Sequence, residues 1–337
     1  MASNNSIAVF GAYGHTARFV IAELRKRGWR VILSGRDRVR LEEAGAAYPE
    51  TELRVATVDD PESLATAIAG NRAVINCAGP FLDTAIPIID VAIRSGVHYV
   101  DIAAEQAAVL NVFERFENDT RAADIVIAPA MAFYGGLPDL LATAAMDDWE
   151  AADEICIAVA LDSWKPTRGT RLTGQRNPGR RFILSEGKLE WADPPPDRMW
   201  NFPAPFGPQE VVGLSLAEAI TISRHLDTRE IRAFINTAPL ADLRDPDTPP
   251  PTAADESGRS SQIFLVDVIV RRGSKERRVV ASGRDIYAVT APIVVEATER
   301  IVNGLARRKG VVAAGEAFDA RDFLNSLSPA HLAISFL

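Results

Sequence analysis

Cysteine, histidine and long apolar stretches are scarce in this chain of 337 residues, and each scarcity excludes a class of protein. Two cysteines, Cys77 and Cys156, and four histidines suggest neither a disulfide framework nor a metal site. No run of about 18 apolar residues occurs, so we expect no membrane-spanning segment. The first residues lack the basic-then-apolar pattern of a secretory signal, which favours a cytoplasmic protein.

Basic charge is also in deficit, with 37 Lys and Arg against 45 Asp and Glu and a formal net charge of −8. A general nucleic-acid binder needs a basic footprint to neutralise phosphates, so we expect no nucleic-acid partner. Hydrophobic residues make up 47% of the chain, which is ample for a core, and the length predicts two domains. We therefore expect a globular homodimer that acts on a small molecule.

The first 130 residues alternate short apolar runs with helical patterns. Strands separated by helices predict right-handed crossovers and a parallel sheet. Pro87 predicts that the helix after the fourth strand starts near that residue, because an interior proline breaks a helix. We expect a Rossmann domain of the doubly wound α/β class over residues 1–130. The predicted strands are 7–10, 30–34, 53–57, 73–77, 98–102 and 125–128.

The pattern changes near residue 130. Apolar runs at 262–270 and 277–281 flank a short turn containing Gly273, which predicts a hairpin. Residues 131–286 are accordingly predicted to form a smaller α+β domain with antiparallel strands, for substrate binding and dimerisation. The last long helix, about 287–305, carries an apolar face that must be buried. We expect residues 287–337 to return to the Rossmann domain and complete it.

A glycine loop follows the first predicted strand directly. Gly11, Gly14 and Ala17 have the spacing Gly-x-x-Gly-x-x-Ala, a variant of the dinucleotide-binding fingerprint. Gly11 permits the tight turn, Gly14 allows the backbone to approach a pyrophosphate, and Ala17 keeps the helix close to the sheet. The helix N-terminus then offers unpaired N–H groups to the phosphates. A lone glycine motif is weak evidence, but here it stands in the required strand–turn–helix context.

The end of the second strand predicts which dinucleotide is bound. NAD-binding folds place an acid there for the ribose 2′-hydroxyl, whereas this chain has Ser34-Gly35-Arg36. Arg36 can pair with a 2′-phosphate and Ser34 can donate to it, so we expect NADP(H). The predicted cofactor-binding residues are Gly11, Ala12, Tyr13, Gly14, His15, Thr16, Ser34, Gly35, Arg36, Cys77, Ala78, Gly79, Pro80 and Phe81.

Several motifs together resemble the saccharopine dehydrogenase-like NADP(H)-binding family. They are Gly-Ala-Tyr-Gly-His-Thr-Ala-Arg at 11–18, Ser-Gly-Arg at 34–36, Ala-Gly-Pro-Phe at 78–81, His-Tyr-Val-Asp at 98–101, Tyr-Gly-Gly-Leu-Pro-Asp at 134–139 and Asp-Ile-Tyr-Ala-Val-Thr at 285–290. The resemblance implies a Rossmann domain interrupted by a smaller domain, and oxidation or reduction often at a carbon–nitrogen bond. The family's Asp-x-x-x-Glu segment is present as Asp101 and Glu105, although Ile102-Ala103-Ala104 departs from its usual small polar pair.

Three residues are candidates for catalysis: Asp101, Glu105 and Tyr134. Ligands of doubly wound folds bind beyond the carboxyl ends of the strands, where Asp101 and Glu105 lie. Capping of the next helix is an equal alternative for both acids. Tyr134 and Asp139 lie at the predicted domain junction, where clefts form, and Asp139 is the better candidate for a helix-capping acid. Glu105 or Tyr134 would protonate the amine or alkoxide formed by hydride transfer.

A basic stretch in the second half has two interpretations. It would grip an anionic substrate or, more simply, be a solvated loop. His225 has no role that the sequence indicates. The function predicted is hydride transfer to or from a C=N or C=O carbon, and the alternative is a non-enzymatic NADP(H)-binding redox sensor that acts on a protein partner. The stretch contains Lys165, Arg168, Arg171, Arg176, Arg180 and Arg181.

Overall fold

The computed structural model describes residues 5–117, 124–176, 181–193 and 195–337, and they fall into two units. The first unit extends to Ala132 and includes Thr290–Val312 and Glu316–Phe318. The second unit comprises Phe133–Val289, Ala313–Gly315 and Asp319–Leu337. Among the described helices, none is long and apolar enough to cross a membrane.

The first unit is built on a seven-stranded sheet in the order β15-β6-β5-β4-β1-β2-β3, with every neighbouring pair parallel. The expected doubly wound α/β class is confirmed. The strands are β1 (Ser6–Phe10), β2 (Arg30–Gly35), β3 (Glu52–Val55), β4 (Ala73–Asn76), β5 (His98–Asp101), β6 (Val126–Ala128) and β15 (Gly310–Val311). The helices that connect them are α1 (His15–Lys26), α2 (Arg38–Gly45), α3 (Pro61–Ile68), α4 (Phe81–Ser95) and α5 (Gln106–Phe116).

Helix α4 starts six residues earlier than the sequence predicts, because it contains Pro87 in its interior. An interior proline costs about 3 kcal/mol through its missing N–H and its ring. The first turns compensate for this cost, since Phe81, Thr84 and Ala85 are all buried. Burial of one phenylalanine alone contributes about 1.5–3 kcal/mol. The expected start near Pro87 was therefore wrong: burial on both sides of the proline outweighs the lost hydrogen bond.

The second unit is built on a mixed nine-stranded sheet. Its main path is β10-β11-β12-β7-β13-β14-β16, with the β8–β9 hairpin attached through β12. The predicted hairpin is confirmed by antiparallel pairing of β13 with β14, whereas β12 and β7 are parallel. The strands are β7 (Ala151–Leu161), β8 (Arg181–Ser185), β9 (Lys188–Ala192), β10 (Arg198–Asn201), β11 (Pro208–Gly213), β12 (Asp227–Asn236), β13 (Ile263–Arg272), β14 (Lys275–Arg284) and β16 (Ala333–Phe336). The helices are α6 (Gly136–Met146), α7 (Arg168–Arg176), α8 (Ala217–Ser223), α9 (Ala238–Arg244) and α12 (Ala320–Leu327).

The C-terminal segment is divided between the units, and not wholly part of the first as the sequence suggested. Helix α10 (Ile286–Val302) contributes its residues from Thr290 onward to the first unit, and β15 follows there; α11 (Ala314–Ala317) comes next. Residues 319–337 instead belong to the second unit. The physical reason is that α12 buries Phe323 and Leu324 against α6, and β16 pairs with β14. The expectation for residues 319–337 was therefore wrong.

An ionic cluster holds the returning helix within the first unit. The Arg27 guanidinium lies 2.7 Å from Glu296 and 2.5 Å from Glu299. The Trp29 indole N–H donates to Glu299 at 2.6 Å. These partly buried, charge-assisted contacts link α1 to α10 more strongly than exposed ion pairs would.

Candidate functional site

The glycine loop lies in close contact with the ends of two neighbouring strands. Gly11 has a φ of 78°, in the left-handed region that glycine adopts without strain. A Cβ on Gly11 would lie 2.8 Å from the Cβ of Ala78 and 2.9 Å from its backbone. The N–H groups of Gly11 and Ala12 donate to the Ser34 carbonyl at 2.8 and 3.1 Å. Position 11 thus requires glycine for two reasons: its φ is positive, and the turn after β4 lies too close to leave room for a side chain.

Helix α1 begins immediately after this loop with an open N-terminus. Gly14 occupies the N-cap position and offers no side-chain hydrogen bond to the first turn. His15 and Thr16 form that turn, and Ala17 is fully buried against the sheet. The His15 ring packs edge-on to Phe19, with centroids 5.6 Å apart. A helix start without a side-chain cap, together with the positive end of the helix dipole, suits the pyrophosphate of a dinucleotide.

The end of β2 offers cationic and aromatic groups and no acid. Arg36 is exposed, and Gly35 lies under the ring of Tyr13, which a Cβ on Gly35 would meet at 2.7 Å. Ser34 is fully buried, and its hydroxyl is out of contact with solvent. The predicted donation from Ser34 to a 2′-phosphate therefore has no support in this geometry. Ser34 matters here because an acid at this position would repel the 2′-phosphate of NADP(H).

Arg40 is a candidate cofactor residue that the sequence reasoning missed. Its guanidinium lies over the Tyr13 ring, 4.4 Å from the centroid. Asp37 accepts a hydrogen bond from the Arg40 N–H at the start of α2, which fixes this first turn beside the glycine loop. The available signal was the alternation of arginines at 36, 38 and 40 around the capping aspartate Asp37.

The turn after β4 is shaped by a buried amide. Asn76 is fully buried, and its side chain accepts from the Ala78 N–H at 3.0 Å. It also donates to the hydroxyls of Thr84 and Tyr99, each at 3.1 Å. This network holds the predicted cofactor segment Cys77-Ala78-Gly79-Pro80-Phe81 next to Gly11. Burial raises the pKa of the Cys77 thiol, which disfavours a nucleophilic role.

Asp101 has the contacts of a structural acid. One carboxylate oxygen accepts from the N–H groups of Ala103 and Ala130, at 2.9 and 2.8 Å. The other oxygen accepts from the Tyr99 hydroxyl at 2.8 Å. Ala130 has a positive φ of 58°, so the carboxylate holds a strained turn in place. Burial raises the pKa of Asp101, although these donors oppose the shift. Catalysis by Asp101 would require these contacts to break.

Glu105 caps a helix, but not the helix that follows it in sequence. One carboxylate oxygen accepts from the Phe81 N–H at 2.9 Å, at the start of α4, while the other has no hydrogen-bond partner among the residues that the structure describes. The side chain is 5% exposed, and burial raises the pKa of its carboxyl group. Because its free oxygen lies beside the predicted cofactor turn, Glu105 stays a candidate for proton transfer.

Tyr134 belongs to the second unit and stacks on Trp164, with ring centroids 5.8 Å apart. Its hydroxyl is buried and has no hydrogen-bond partner within the described part of the chain. Burial and then the charge of Glu218 raise the pKa of Tyr134 well above its ordinary value. Glu218 itself is 2% exposed. No motif in the sequence singled out this acid, since only the packing of α8 brings it near Tyr134.

Asp139 and His225 form a contact that the sequence did not indicate. His225 Nε2 lies 2.7 Å from Asp139 Oδ1, within the second unit. Gly315 backs this pair, and a Cβ there would lie 2.6 Å from the His225 ring. Asp139 is fully buried in the first turn of α6. The pair joins α6 to the segment after α8.

The basic stretch is helical where it was expected to be a loop. Helix α7 contains Arg168, Arg171 and Arg176, and none of its residues is buried. Arg171 donates to the carbonyls of Asp245 and Thr248. Arg180 lies outside the described residues, and Arg181 begins β8 partly buried. A solvated face is the better description of α7.

Comparison with known proteins agrees with this geometry. Residues 7–125 match the family model described as the saccharopine dehydrogenase NADP binding domain. A probable mitochondrial saccharopine dehydrogenase-like oxidoreductase of Arabidopsis thaliana is 28% identical over an alignment of 114 residues that covers 29% of this chain and 25% of the relative. The chain thus aligns with about a quarter of that relative's length.

The fold of the whole chain is similar to that of a solved enzyme. Apo saccharopine dehydrogenase (L-Glu forming) from Saccharomyces cerevisiae matches with a TM-score of 0.70 and 12% identity, covering 99% of this chain and 100% of that one. At this identity the likeness concerns the fold alone. The predicted resemblance is confirmed: residues 7–125 match the saccharopine dehydrogenase NADP binding domain.

Proposed function

We propose that this protein is an NADP(H)-dependent oxidoreductase that transfers a hydride to or from the carbon of a C=N or C=O bond in a small substrate. The observation that carries the proposal is the uncapped start of α1 behind the Gly11 turn, beside a β2 end without an acid. The same strand end would repel a 2′-phosphate if it carried the acid typical of NAD-binding folds.

The residues present fit this cofactor. The first-turn N–H groups of α1 would bind the pyrophosphate, and Arg36 and Arg40 would bind the 2′-phosphate. The segment from Cys77 to Phe81 would lie along the ribose. Tyr13 supports Arg40 from below, which limits the freedom that the guanidinium must lose on binding. When bound, NADP(H) supplies the hydride, and the chain supplies orientation and proton transfer.

Glu105 is our candidate for proton transfer in the first unit. Its raised pKa keeps a larger protonated fraction near neutral pH, as a general acid requires. The hydrogen bond from the Phe81 N–H occupies one carboxylate oxygen of Glu105. The other oxygen would carry the proton that Glu105 donates to the substrate. A Glu105→Gln variant should keep the helix-capping contact and lose proton transfer.

A screen of carbonyl compounds, each with and without an amine, tests the activity. NADPH consumption is followed at its absorbance band, and NADPH binding is measured on the same preparation. Turnover that requires Glu105 supports the proposal. Tight NADPH binding without turnover across the screen would favour the redox-sensor alternative instead.

We propose a cytoplasmic homodimer in which the second unit binds an anionic substrate and contributes to dimerisation. Light scattering coupled to gel filtration measures the mass in solution, and a monomer of 36.5 kDa would contradict the homodimer.

A further inference from the structure

A cavity of about 300 Å³ lies on the nine-stranded sheet of the second unit. Its volume is at the lower end of the range for small-molecule sites, which is about 300–1,000 Å³. Among the described residues, three arginines and no acid line this cavity. Its wall is therefore cationic, and apolar side chains such as Met199 and Ile269 complete it.

The cavity exists because the sheet curls back on itself. β10 is an edge strand, and β13 and β14 stand four and five positions from it in the strand order. Even so, the Trp200 indole N–H of β10 donates to Asp267 of β13 at 2.8 Å. Arg278 of β14 likewise donates to the Asn201 carbonyl of β10 at 2.8 Å. β10 therefore lies over β13 and β14, and it forms one wall of a mouth like that of a β-barrel, where ligand sites are common.

The cavity lies on the face of the sheet that α6 does not cover. Successive side chains of a strand point to opposite faces. Arg277 donates to a carbonyl at the end of α6 at 2.6 Å, so its neighbour Arg278 points away from that helix. On β13, Phe264 packs against Phe133, whereas Ile269 lines the cavity from the other face. The sheet therefore separates the cavity from the segment around Phe133, which contains the candidate tyrosine.

Three guanidinium groups are held close together in this cavity. Arg198 Nη2 and Arg271 Nη1 lie 3.6 and 3.7 Å from the same atom, the Sγ of Cys156. Arg271 and Arg278 are diagonal neighbours on β13 and β14, because Ile269 is the residue that pairs with Arg278. Diagonal positions are about 7–8 Å apart, which is within reach of long side chains. The three cations can therefore contact one small ligand.

Acids outside the lining compensate two of the arginines. Arg271 forms ion pairs with Glu154 at 2.6 Å and with Glu276 at 2.9 Å. Arg278 binds both carboxylate oxygens of the fully buried Asp267. These contacts occupy only part of each guanidinium. Nη2 of Arg271 and Nη1 of Arg278 make no hydrogen bond with the described residues.

Arg198 has no acidic partner in the part of the chain that the structure describes. Its guanidinium lies 4.0 Å from the ring centroid of Phe234 and 4.9 Å from that of Trp200, which restrains its orientation. Burial raises the pKa of the Cys156 thiol to about 11, so the sulfur beside Arg198 is neutral and does not offset the charge. The cavity therefore presents one uncompensated guanidinium together with unused donors on the other two.

We propose that this cavity binds a small phosphate monoester. A phosphoryl group has three terminal oxygens for the three guanidiniums, whereas a carboxylate has two. Arg198 would make the charge-assisted contact that no acid provides, and Arg271 and Arg278 would donate through their unused nitrogens. The organic part of the ester would lie against Met199 and Ile269. The site does not depend on the proposed hydride transfer.

Calorimetric titration of the full chain in a phosphate-free buffer tests the site. The probes are phenyl phosphate and butyl phosphate, compared with inorganic phosphate and with benzoate. Each titration is run with and without saturating NADPH, which would occupy the glycine loop. With NADPH present, we expect at least one ester to bind at least about tenfold more tightly than inorganic phosphate, because only the ester gains burial against the apolar wall.

Benzoate should bind at least about tenfold more weakly than phenyl phosphate, since it leaves one guanidinium without a partner. Three results would overturn the proposal. They are no binding of either ester, binding that NADPH abolishes, and esters that bind no more tightly than inorganic phosphate or benzoate.

Variants of Arg198 assign the contact. Arg198→Met should weaken ester binding at least about tenfold, and Arg198→Lys should have intermediate affinity because it keeps the charge and loses the planar fork. Arg229→Met, which removes an exposed arginine of β12, is the matched control and should bind as wild type does. Circular dichroism reports whether each variant is folded. Wild-type affinity in Arg198→Met, or an equal loss in Arg229→Met, would refute the assignment.

Discussion

Replacing Glu218 with glutamine should change how the stability of the second unit depends on pH. Burial raises the pKa of this carboxyl from 4.5 to about 7 in the folded chain. As the pH rises between these two values, the unfolded state loses the proton first, so the free energy of unfolding falls. Each pKa unit corresponds to about 1.4 kcal/mol, which makes the total loss about 3 kcal/mol.

The glutamine variant lacks this titration. Its amide oxygen can still accept from the Leu216 N–H, so the helix start is retained. We therefore expect the stability of the variant relative to wild type to rise by about 3 kcal/mol between about pH 4 and about pH 8. Any cost of burying the new amide is independent of pH and leaves this difference unchanged.

Urea unfolding at a series of pH values measures the effect. Tryptophan emission is a suitable signal, because Trp149, Trp164, Trp191 and Trp200 are four of the five tryptophans and lie in the second unit. Glu190→Gln, which removes an exposed acid, should show no comparable slope relative to wild type. A stability difference that stays constant across the pH range would refute the reasoning about Glu218.

The other predictions concern the first unit. Wild type should bind NADPH at least about tenfold more tightly than NADH, a difference of about 1.4 kcal/mol, and Arg36→Ala should reduce that ratio; equal affinities in wild type, measured by fluorescence titration, would contradict the assignment. Gly14→Val should lose NADPH binding yet keep its circular dichroism spectrum, and wild-type affinity would exclude this loop as the phosphate site. Asp101→Asn should lower the free energy of unfolding by about 1–3 kcal/mol, and an unchanged urea midpoint would argue against its structural role.

Short-range chemistry is what the sequence by itself determined. The spacing of Gly11, Gly14 and Ala17 after an apolar strand is sufficient to predict the turn, the helix and the phosphate site, because all three requirements are local. The absence of an acid at Ser34-Gly35-Arg36 likewise predicts NADP(H), since the ribose contact comes from one strand end. Alternation of strands and helices predicts the parallel sheet for the same reason.

Only the tertiary structure decided which distant groups meet. Glu105 caps α4 through Phe81, and Arg27 binds Glu296 and Glu299, although each pairing joins residues far apart in sequence. Pro87 remains inside a helix because its neighbours are buried on both sides, which local propensity does not predict. Glu218 shows no motif, and only packing removed its carboxyl from water. Burial is a property of the assembled chain, and it determines the protonation of such an acid.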